Sequence, residues 1–516
     1  MIETELKLAL DEAAFARLRR HPALTALRLR PRREETLVSI YCDTAGHDLA
    51  HAGIALRLRR IGRSWVQTVK RGRIAGGTGL FAHQEVERPA PGGRLVLDGP
   101  DPEGVYAAIA EAAGDAPLAP VFETRIRRIS ERLGLPRGEV ELALDRGEIV
   151  AGEARAPVLE AEIELVSGAV GAVFDLARRL FPAGPLRLAT ANKAALGYQL
   201  ARGEGPPPAI APRRAGVLAY GPEATVETVA RDAIRDCLAQ IAENMAVVAL
   251  SDAVEGPHQL RIGLRRLRTV FSVFGPNLGR EALAGLVARA RDLGRVVGAL
   301  RDLDVLIAEV VAEAADYGLD AAAKDALIAA LSARREGVRA EVRAALAGPE
   351  GAGFTLDLLE FVETRGWLAP ADYGQTARLA APIGELAPAI LAQRHRKALK
   401  LGRRIETLEA EALHALRKEL KKLRYAVETL DPIYPPKRVG PWLKALRALQ
   451  DTFGSLNDAT MAAELLGGAD APAAQDAAAQ RAVGWVLGTL AVRVGDDRPR
   501  LDARWKAFAA SAPFWE

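Results

Sequence analysis

The chain has 516 residues, 49% apolar and 26% charged, and a formal net charge of +4. That length allows two or three domains, and the balance is that of a globular protein rather than a disordered or fibrous one. Cys42 and Cys237 are too few and too far apart for a disulfide framework or zinc-type spacing, no apolar run reaches transmembrane length, and the acidic start Met1-Ile2-Glu3-Thr4-Glu5 is unlike a signal peptide; a cytoplasmic protein with no membrane partner is expected.

The first two hundred residues alternate in the manner of strands. The runs Ile2–Leu8, Leu56–Leu58, Trp65–Lys70, Gln84–Arg88, Val140–Asp145 and Glu160–Leu165 each show period two. Gly76-Gly77-Thr78-Gly79 and Gly92-Gly93 mark turns between them. Helices are predicted over Asp101–Ala113 and Ala169–Leu180.

The strands carry charge on one face. Residues two apart share a face, which groups Glu3, Glu5 and Lys7; Arg57 and Arg59; Thr68 and Lys70; Glu85 and Glu87; and Glu160, Glu162 and Glu164. Leu56, Leu58, Ile163 and Leu165 fall opposite. One such strand is an ordinary solvated sheet. A set of strands, some wholly acidic on that face and others wholly basic, instead suggests a closed barrel with a polar bore. Carboxylates there suit hard divalent cations, and Arg and Lys suit phosphate oxygens, a combination that serves metal-assisted phosphoryl hydrolysis.

Glu3-x-Glu5-x-Lys7, Tyr41-x-Asp43-Thr44, Gly53-Ile54-Ala55-Leu56-Arg57-Leu58-Arg59, Thr68-x-Lys70, Glu85-x-Glu87, Asp145-Arg146-Gly147, Glu160-x-Glu162-x-Glu164-Leu165 and Asn192-Lys193-Ala194 follow one another in the order of the CYTH superfamily, the triphosphate tunnel metalloenzymes. The resemblance covers residues 1–202. It implies an eight-stranded antiparallel tunnel. Lys7, Arg57, Arg59, Lys70 and Lys193 would bind triphosphate, joined by an arginine of Thr124-Arg125-Ile126-Arg127, with Arg127 the choice. Glu3, Glu5, Glu162 and Glu164 would hold Mg2+ or Mn2+, with Glu85, Glu87 and Asp145 nearby. Glu3, Glu5, Lys7, Glu162 and Glu164 would form the catalytic set, in which one metal orients the phosphates and a second metal, or a carboxylate, activates the attacking water.

Residues 203–221 read as a Pro- and Gly-rich linker around Gly205-Pro206-Pro207-Pro208. From residue 222 to 516 the pattern is helical, with glycine and proline dividing it into helices of ordinary length. This half contains a duplication. His258-Gln259-Leu260-Arg261-Ile262-Gly263-Leu264-Arg265-Arg266-Leu267-Arg268 recurs 156 residues later as His414-Ala415-Leu416-Arg417-Lys418-Glu419-Leu420-Lys421-Lys422-Leu423-Arg424. Gly298-Ala299-Leu300-Arg301-Asp302 recurs at the same offset as Gly454-Ser455-Leu456-Asn457-Asp458. On a helix His258, Arg261, Arg265 and Arg268 fall within an arc of about 80°, opposite Leu260, Leu264 and Leu267. His414, Arg417, Lys421 and Arg424 repeat the layout. Like charges along one helix face repel by a few tenths of a kcal/mol per pair, so a basic stripe kept in both copies points to a polyanionic partner.

These stretches, with Arg301-Asp302-x-Asp304 and Asn457-Asp458, resemble the CHAD domain of conserved histidines on α-helices. That resemblance implies two pseudo-symmetric four-helix bundles around a basic surface that binds inorganic polyphosphate through the eight stripe residues. Asp302 and Asp458 would orient arginines. Arg266, Lys418, Lys422, Arg394, Lys397, Lys400, Arg403 and Arg404 either extend the patch or are solvated surface charge. The fold class is therefore α+β and multidomain. The reading is hydrolysis of inorganic triphosphate to pyrophosphate and phosphate, with polyphosphate as a second partner and association with polyphosphate granules. The alternatives are a non-catalytic polyphosphate-binding protein and a triphosphatase for an organic substrate. Nucleic acid is disfavoured because the stripes carry little aromatic interleaving for base stacking. The oligomeric state is left open.

Overall fold

Alternation along the first two hundred residues becomes a closed barrel. The computed structural model describes residues 2–72, 79–101, 104–183, 186–189, 191–205, 210–315, 318–468, 471, 474 and 476–516. Its strands are β1 (Ile2–Ala9), β2 (Arg33–Asp43), β3 (Ile54–Ile61), β4 (Ser64–Arg71), β5 (Leu80–Pro89), β6 (Ala119–Leu135), β7 (Gly138–Ala151) and β8 (Ala154–Gly168). All neighbours are antiparallel, in the order β1-β5-β4-β3-β2-β6-β7-β8. The turn read at Gly76-Gly77-Thr78 and residues 206–209 of the linker lie outside the described residues.

Apolar side chains leave the barrel in two directions. On the outside Leu56, Leu58 and Val69 are buried with Tyr106 and Ile109 of the helix Val105–Ala113. This helix starts later than its prediction from Asp101, because Gly104 before it is left-handed at φ 67°. The other predicted helix appears as Gly171–Leu180. On the inside, one end of the bore is filled. Tyr41, Ala55, Phe122, Ile126, Ile149 and Val158 form one buried cluster with Ala194, Tyr198 and Leu200 of the helix Lys193–Ala201. Gly197 makes the fit: a Cβ there would lie 2.1 Å from the Phe122 ring. Among the described residues, the barrel is thus a polar pocket on an apolar floor.

The chain divides into one unit of Met1–Ala211 with Thr355–Thr364, and a second of Pro212–Phe354 with Arg365–Glu516. In the second unit the duplication extends to four helix pairs. Val226–Leu250 corresponds to Ile383–Leu401, Glu255–Leu278 to Ala410–Leu430, Arg280–Val305 to Pro436–Leu466, and Ala321–Ala347 to Ala477–Ala509. The offset of 156 residues carries Arg280 onto Pro436 and Ala321 onto Ala477, the first residues of their helices. The two basic-stripe helices, Glu255–Leu278 and Ala410–Leu430, pack on each other. Proline is a weaker divider than expected: Pro276, Pro388, Pro441 and Pro499 all lie inside helices. Each lies beyond the first turn of its helix, so each removes one i→i−4 hydrogen bond that the helix would otherwise make. No helix among the described residues is long and apolar enough to cross a membrane.

Candidate functional site

The barrel register turns the charged faces into a bore of opposed signs. Lys7 lies across from Glu162 and Glu5 from Glu164 between β1 and β8. Lys70 lies across from Glu85 between β4 and β5, and Arg128 from Asp145 between β6 and β7. The resulting cavity is about 630 Å³ and is lined by Glu3, Glu5, Lys7, Arg57, Arg59, Lys70, Glu85, Glu87, Glu162, Glu164 and Lys193 among others. Asp145 is fully buried beside it at 0% exposure.

One predicted residue is misplaced. Arg127 points out of the barrel, where it is 69% exposed and pairs with Glu34. Arg128 points in, donating to both oxygens of Asp145 at 2.7 Å and pairing with Glu162. The cause is parity: β6 pairs Arg128 with Asp145, and its alternate residue must face the opposite way. Charges on both faces of Arg125-Ile126-Arg127-Arg128 hid the period. His83 also lines the cavity and is not among the predicted site residues; it shares a face with Glu85 and Glu87, so the period-two rule that gathered them extends to it. Glu160 and Tyr41, present in the sequence motifs without an assigned role, lie at the site as well, Glu160 paired with Lys193 and Tyr41 lining the cavity.

Within the bore each lysine is held by carboxylates. The Lys7 ammonium lies 3.1 Å from Glu5 and pairs with Glu162. Lys193, N-terminal in a helix capped by the Asn192 side chain, lies 2.7 Å from Asp145 and 2.9 Å from Glu162, and pairs with Glu160. Lys70 lies 2.8 Å from Glu3 and 2.7 Å from Glu85. Arg59 donates to Ser39 at 3.1 Å, and Thr68 donates to Glu87 at 2.9 Å.

These neighbours move the acidities apart. Burial alone would push Glu162 up, but Lys193, Lys7 and Arg128 hold it well below the usual carboxylate range. Burial also opposes ionisation of Glu5 and Asp145, and Lys7 and Lys193 respectively bring them below their ordinary values. Glu160 is raised to about 7, by burial and then the Glu162 charge, with Lys193 opposing. Glu164 is raised to about 8 by burial and the charges of Glu3, Glu5 and Glu141. Arg59 falls to about 10 through burial and the adjacent Arg57 and Arg128.

Among the described residues two trios of donor atoms could hold a cation: Glu3, His83 and Glu85, and Asp145, Glu160 and Glu162. Within each, the donors lie within 4.8 Å of one another. Carboxylate oxygens in such numbers fit a divalent cation.

In the helical unit the stripes meet. Lys421 is pushed down to about 6 by burial and by Arg265, Arg417, Arg424 and Arg261, which come from both copies. Arg417 falls to about 10 for the same reasons, burial first and then Arg265. Arg268 sits at the margin, beside Arg265 and Arg291. His258 and His414 lie at the outer ends of the stripes, both held below the ordinary histidine range by burial, then by Arg301 for His258 and Lys418 for His414. Arg261 donates to Asp302 at 2.5 Å, and Asp458 stands in the field of Arg417, the same pair one repeat later. Four candidate extensions of the patch are engaged elsewhere. Arg266 pairs with Asp236 at 2.8 Å, and Arg394, Lys397 and Lys422 surround the buried Glu419.

Known proteins show the same two halves. The CYTH domain model matches residues 1–198 and the CHAD domain model residues 232–467. An inorganic triphosphatase of Haemophilus influenzae is 28% identical over 204 residues, 38% of this chain and 54% of that protein, so the match spans about half of that relative's length. An uncharacterized protein of Mycobacterium tuberculosis is 26% identical over 422 residues, covering 76% of this chain and 75% of that one. The crystal structure of the CHAD domain from Ricinus communis is similar at 27% identity and a TM-score of 0.50, over 58% of this chain and 98% of the plant domain.

Proposed function

The chain carries a CYTH domain followed by a CHAD domain, and on that footing we propose that it hydrolyses inorganic triphosphate in the barrel and binds inorganic polyphosphate on the helical unit. The observation that supports the first part is the single bore in which Lys7, Arg57, Arg59, Lys70, Arg128 and Lys193 face a comparable number of carboxylates. The cations grip phosphate oxygens, bidentate where the donor is Arg. Their carboxylate partners would hold Mg2+ or Mn2+. A divalent cation held there supplies positive charge for the phosphoryl group being transferred and acidity to the attacking water. The apolar floor built on Phe122 and Tyr198 keeps water from that end and lets a phosphate chain in end first.

Phosphate release measured with Mg2+, with Mn2+ and with EDTA, on triphosphate, ATP, thiamine triphosphate and long polyphosphate, tests this reading. Metal-dependent turnover, fastest on triphosphate, is the expected outcome; no turnover by folded protein that still binds polyphosphate would replace it with the binding-protein alternative. The placement of the β6 arginines gives a finer expectation. Arg128→Ala should lower triphosphate kcat/KM by about a hundredfold, the scale of a lost charge-stabilising donor. Arg127→Ala, on the outer face, should change it less than twofold.

The convergence of Arg261, Arg265, Arg417, Lys421 and Arg424 supports polyphosphate binding, and with it cytoplasmic association with polyphosphate granules. Lys421 makes the binding proton-linked. With its value depressed to about 6, Lys421 is mostly neutral at pH 7.5. A bound polyanion favours the ammonium and raises that value, so binding takes up protons and affinity falls as pH rises above about 6. Calorimetry in two buffers of different ionisation heat should show net proton uptake at pH 7.5. Lys421→Arg should bind as well and show less of it. Equal uptake by both proteins would remove Lys421 from the site. Competition between polyphosphate and DNA separates this reading from general polyanion binding, since salt dependence alone is common to both.

A further inference from the structure

The trio of Glu3, His83 and Glu85 differs from the other carboxylate groups of the bore in having a nitrogen donor. His83 Nε2 lies 2.7 Å from Glu3 Oε2, and 3.8 and 3.9 Å from oxygens of Glu85 and Glu5. The position is built by register rather than by a flexible loop: His83 pairs with Glu3 across β1 and β5, and Glu85 with Lys70 across β5 and β4. Its side chain is only 12% exposed.

A cation already sits among these donors. The Lys70 ammonium lies 2.8 Å from Glu3 Oε2, 2.7 Å from Glu85 Oε2 and 2.7 Å from His83 Nε2. The ammonium stands in for a metal ion with a ligand set of two oxygens and one nitrogen.

We infer that His83 is a specificity-determining ligand, which makes this trio a mixed nitrogen–oxygen site that takes Mn2+ in preference to Mg2+, with Lys70 as the internal cation that leaves when the metal binds. Mg2+ is hard, dehydrates reluctantly and favours oxygen. Imidazole favours first-row transition ions over Mg2+, and Mn2+ opens that series. A bore lined by carboxylates alone would discriminate weakly between the two. Departure of Lys70 also links cation to anion. Once displaced, its ammonium is free for phosphate, so a metal in the trio strengthens the grip on triphosphate and triphosphate strengthens the grip on the metal, by the same factor.

The inference rests on the bore being a divalent-cation site, and the test separates the two. Mn2+ binding to the full-length protein is followed by the electron paramagnetic resonance of the free ion, with Mg2+ as competitor and no substrate present. His83→Gln, which keeps an oxygen donor, should lower the ratio of Mn2+ to Mg2+ affinity at least about tenfold, the lower bound of what even an outer partner of a metal ligand contributes. Electron spin echo modulation from a coordinated nitrogen should be present in the wild type and absent in His83→Gln. Lys70→Met, which removes the competing ammonium, should raise the affinity for both ions. An unchanged ratio in a His83→Gln variant whose circular dichroism and melting match the wild type, together with no nitrogen modulation in the wild type, would overturn the role of His83 and leave metal-dependent hydrolysis standing. No binding of either ion by the wild type would overturn both.

Discussion

Glu162→Gln is expected to lower the turnover of triphosphate by about a hundred- to a thousandfold, the range for removing one preorganised electrostatic group. Glu162 touches Lys7, Arg128 and Lys193, three cations from three different parts of the chain. Its loss leaves those cations facing only Glu5, Asp145 and Glu160. Uncompensated buried charge destabilises by about 3–5 kcal/mol, so the variant should melt well below the wild type in buffer. Triphosphate or pyrophosphate supplies the missing negative charge and should restore much of that loss. The sign for substrate binding is therefore opposite to the sign for turnover. KM should fall or stay level while kcat collapses, because phosphate no longer competes with a carboxylate for the three cations. Steady-state kinetics and melting with and without triphosphate check both halves. A variant that loses affinity and turnover together, with no ligand rescue, would mean that Glu162 positions the substrate rather than balancing the cations.

The strands that position this residue were legible where one face was apolar. Leu56 and Leu58 against Arg57 and Arg59, or Ile163 and Leu165 against Glu162 and Glu164, give period two directly. β2 and β6 escaped that reading. β6 carries Arg125 and Arg127 outward and Arg128 and Arg132 inward, paired respectively with Glu123, Glu34, Asp145 and Glu141, so charge is not confined to one face, and Arg128 falls outside the stretch Thr124-Arg125-Ile126-Arg127 from which the arginine is predicted. Which cation meets which carboxylate depends on strand register and barrel closure, which pair β1 with β5 and β8 across the chain; no local pattern carries that. The filled end of the bore was hidden for a related reason. Ala194, Tyr198 and Leu200 lie in a stretch for which no helix is predicted, and only the fold shows that the helix Lys193–Ala201 carries them into the barrel. In the helical unit the repeat offset located the stripes from sequence alone, because duplication is a signal independent of packing. It did not show that Arg266 turns to Asp236, since neighbouring arginines on a helix differ in direction and not in composition.

Replacing Arg261, Arg265, Arg417 and Lys421 together by Ala is expected to weaken polyphosphate binding at least a thousandfold and leave triphosphate turnover within twofold. Hydrogen bonds to charged groups contribute about 1.5–3 kcal/mol each, and 1.4 kcal/mol is tenfold in affinity, so even three effective contacts exceed that bound. The slope of log affinity against log salt should become shallower as fewer phosphate charges are neutralised. Stability should move the other way from the barrel variant. Burial and mutual repulsion hold Arg265, Arg417 and Lys421 below their ordinary values, which means that folding brings like charges together with no internal partner sufficient to balance them. Asp302 serves Arg261, and Asp458 offsets Arg417 only in part. Removing the four charges should therefore raise the melting temperature of the free protein and abolish its further rise on adding polyphosphate. A fall in melting temperature would show that the stripe residues hold the two repeat helices together, as Arg394 and Lys397 do around Glu419, and that the cluster is structural. The two outcomes distinguish a surface kept under repulsion for a polyanion from a buried ion network, and the barrel offers the contrast within one chain: there every lysine already has carboxylates within reach, so an anion must exchange with them, whereas in the helical unit it meets a cluster short of partners.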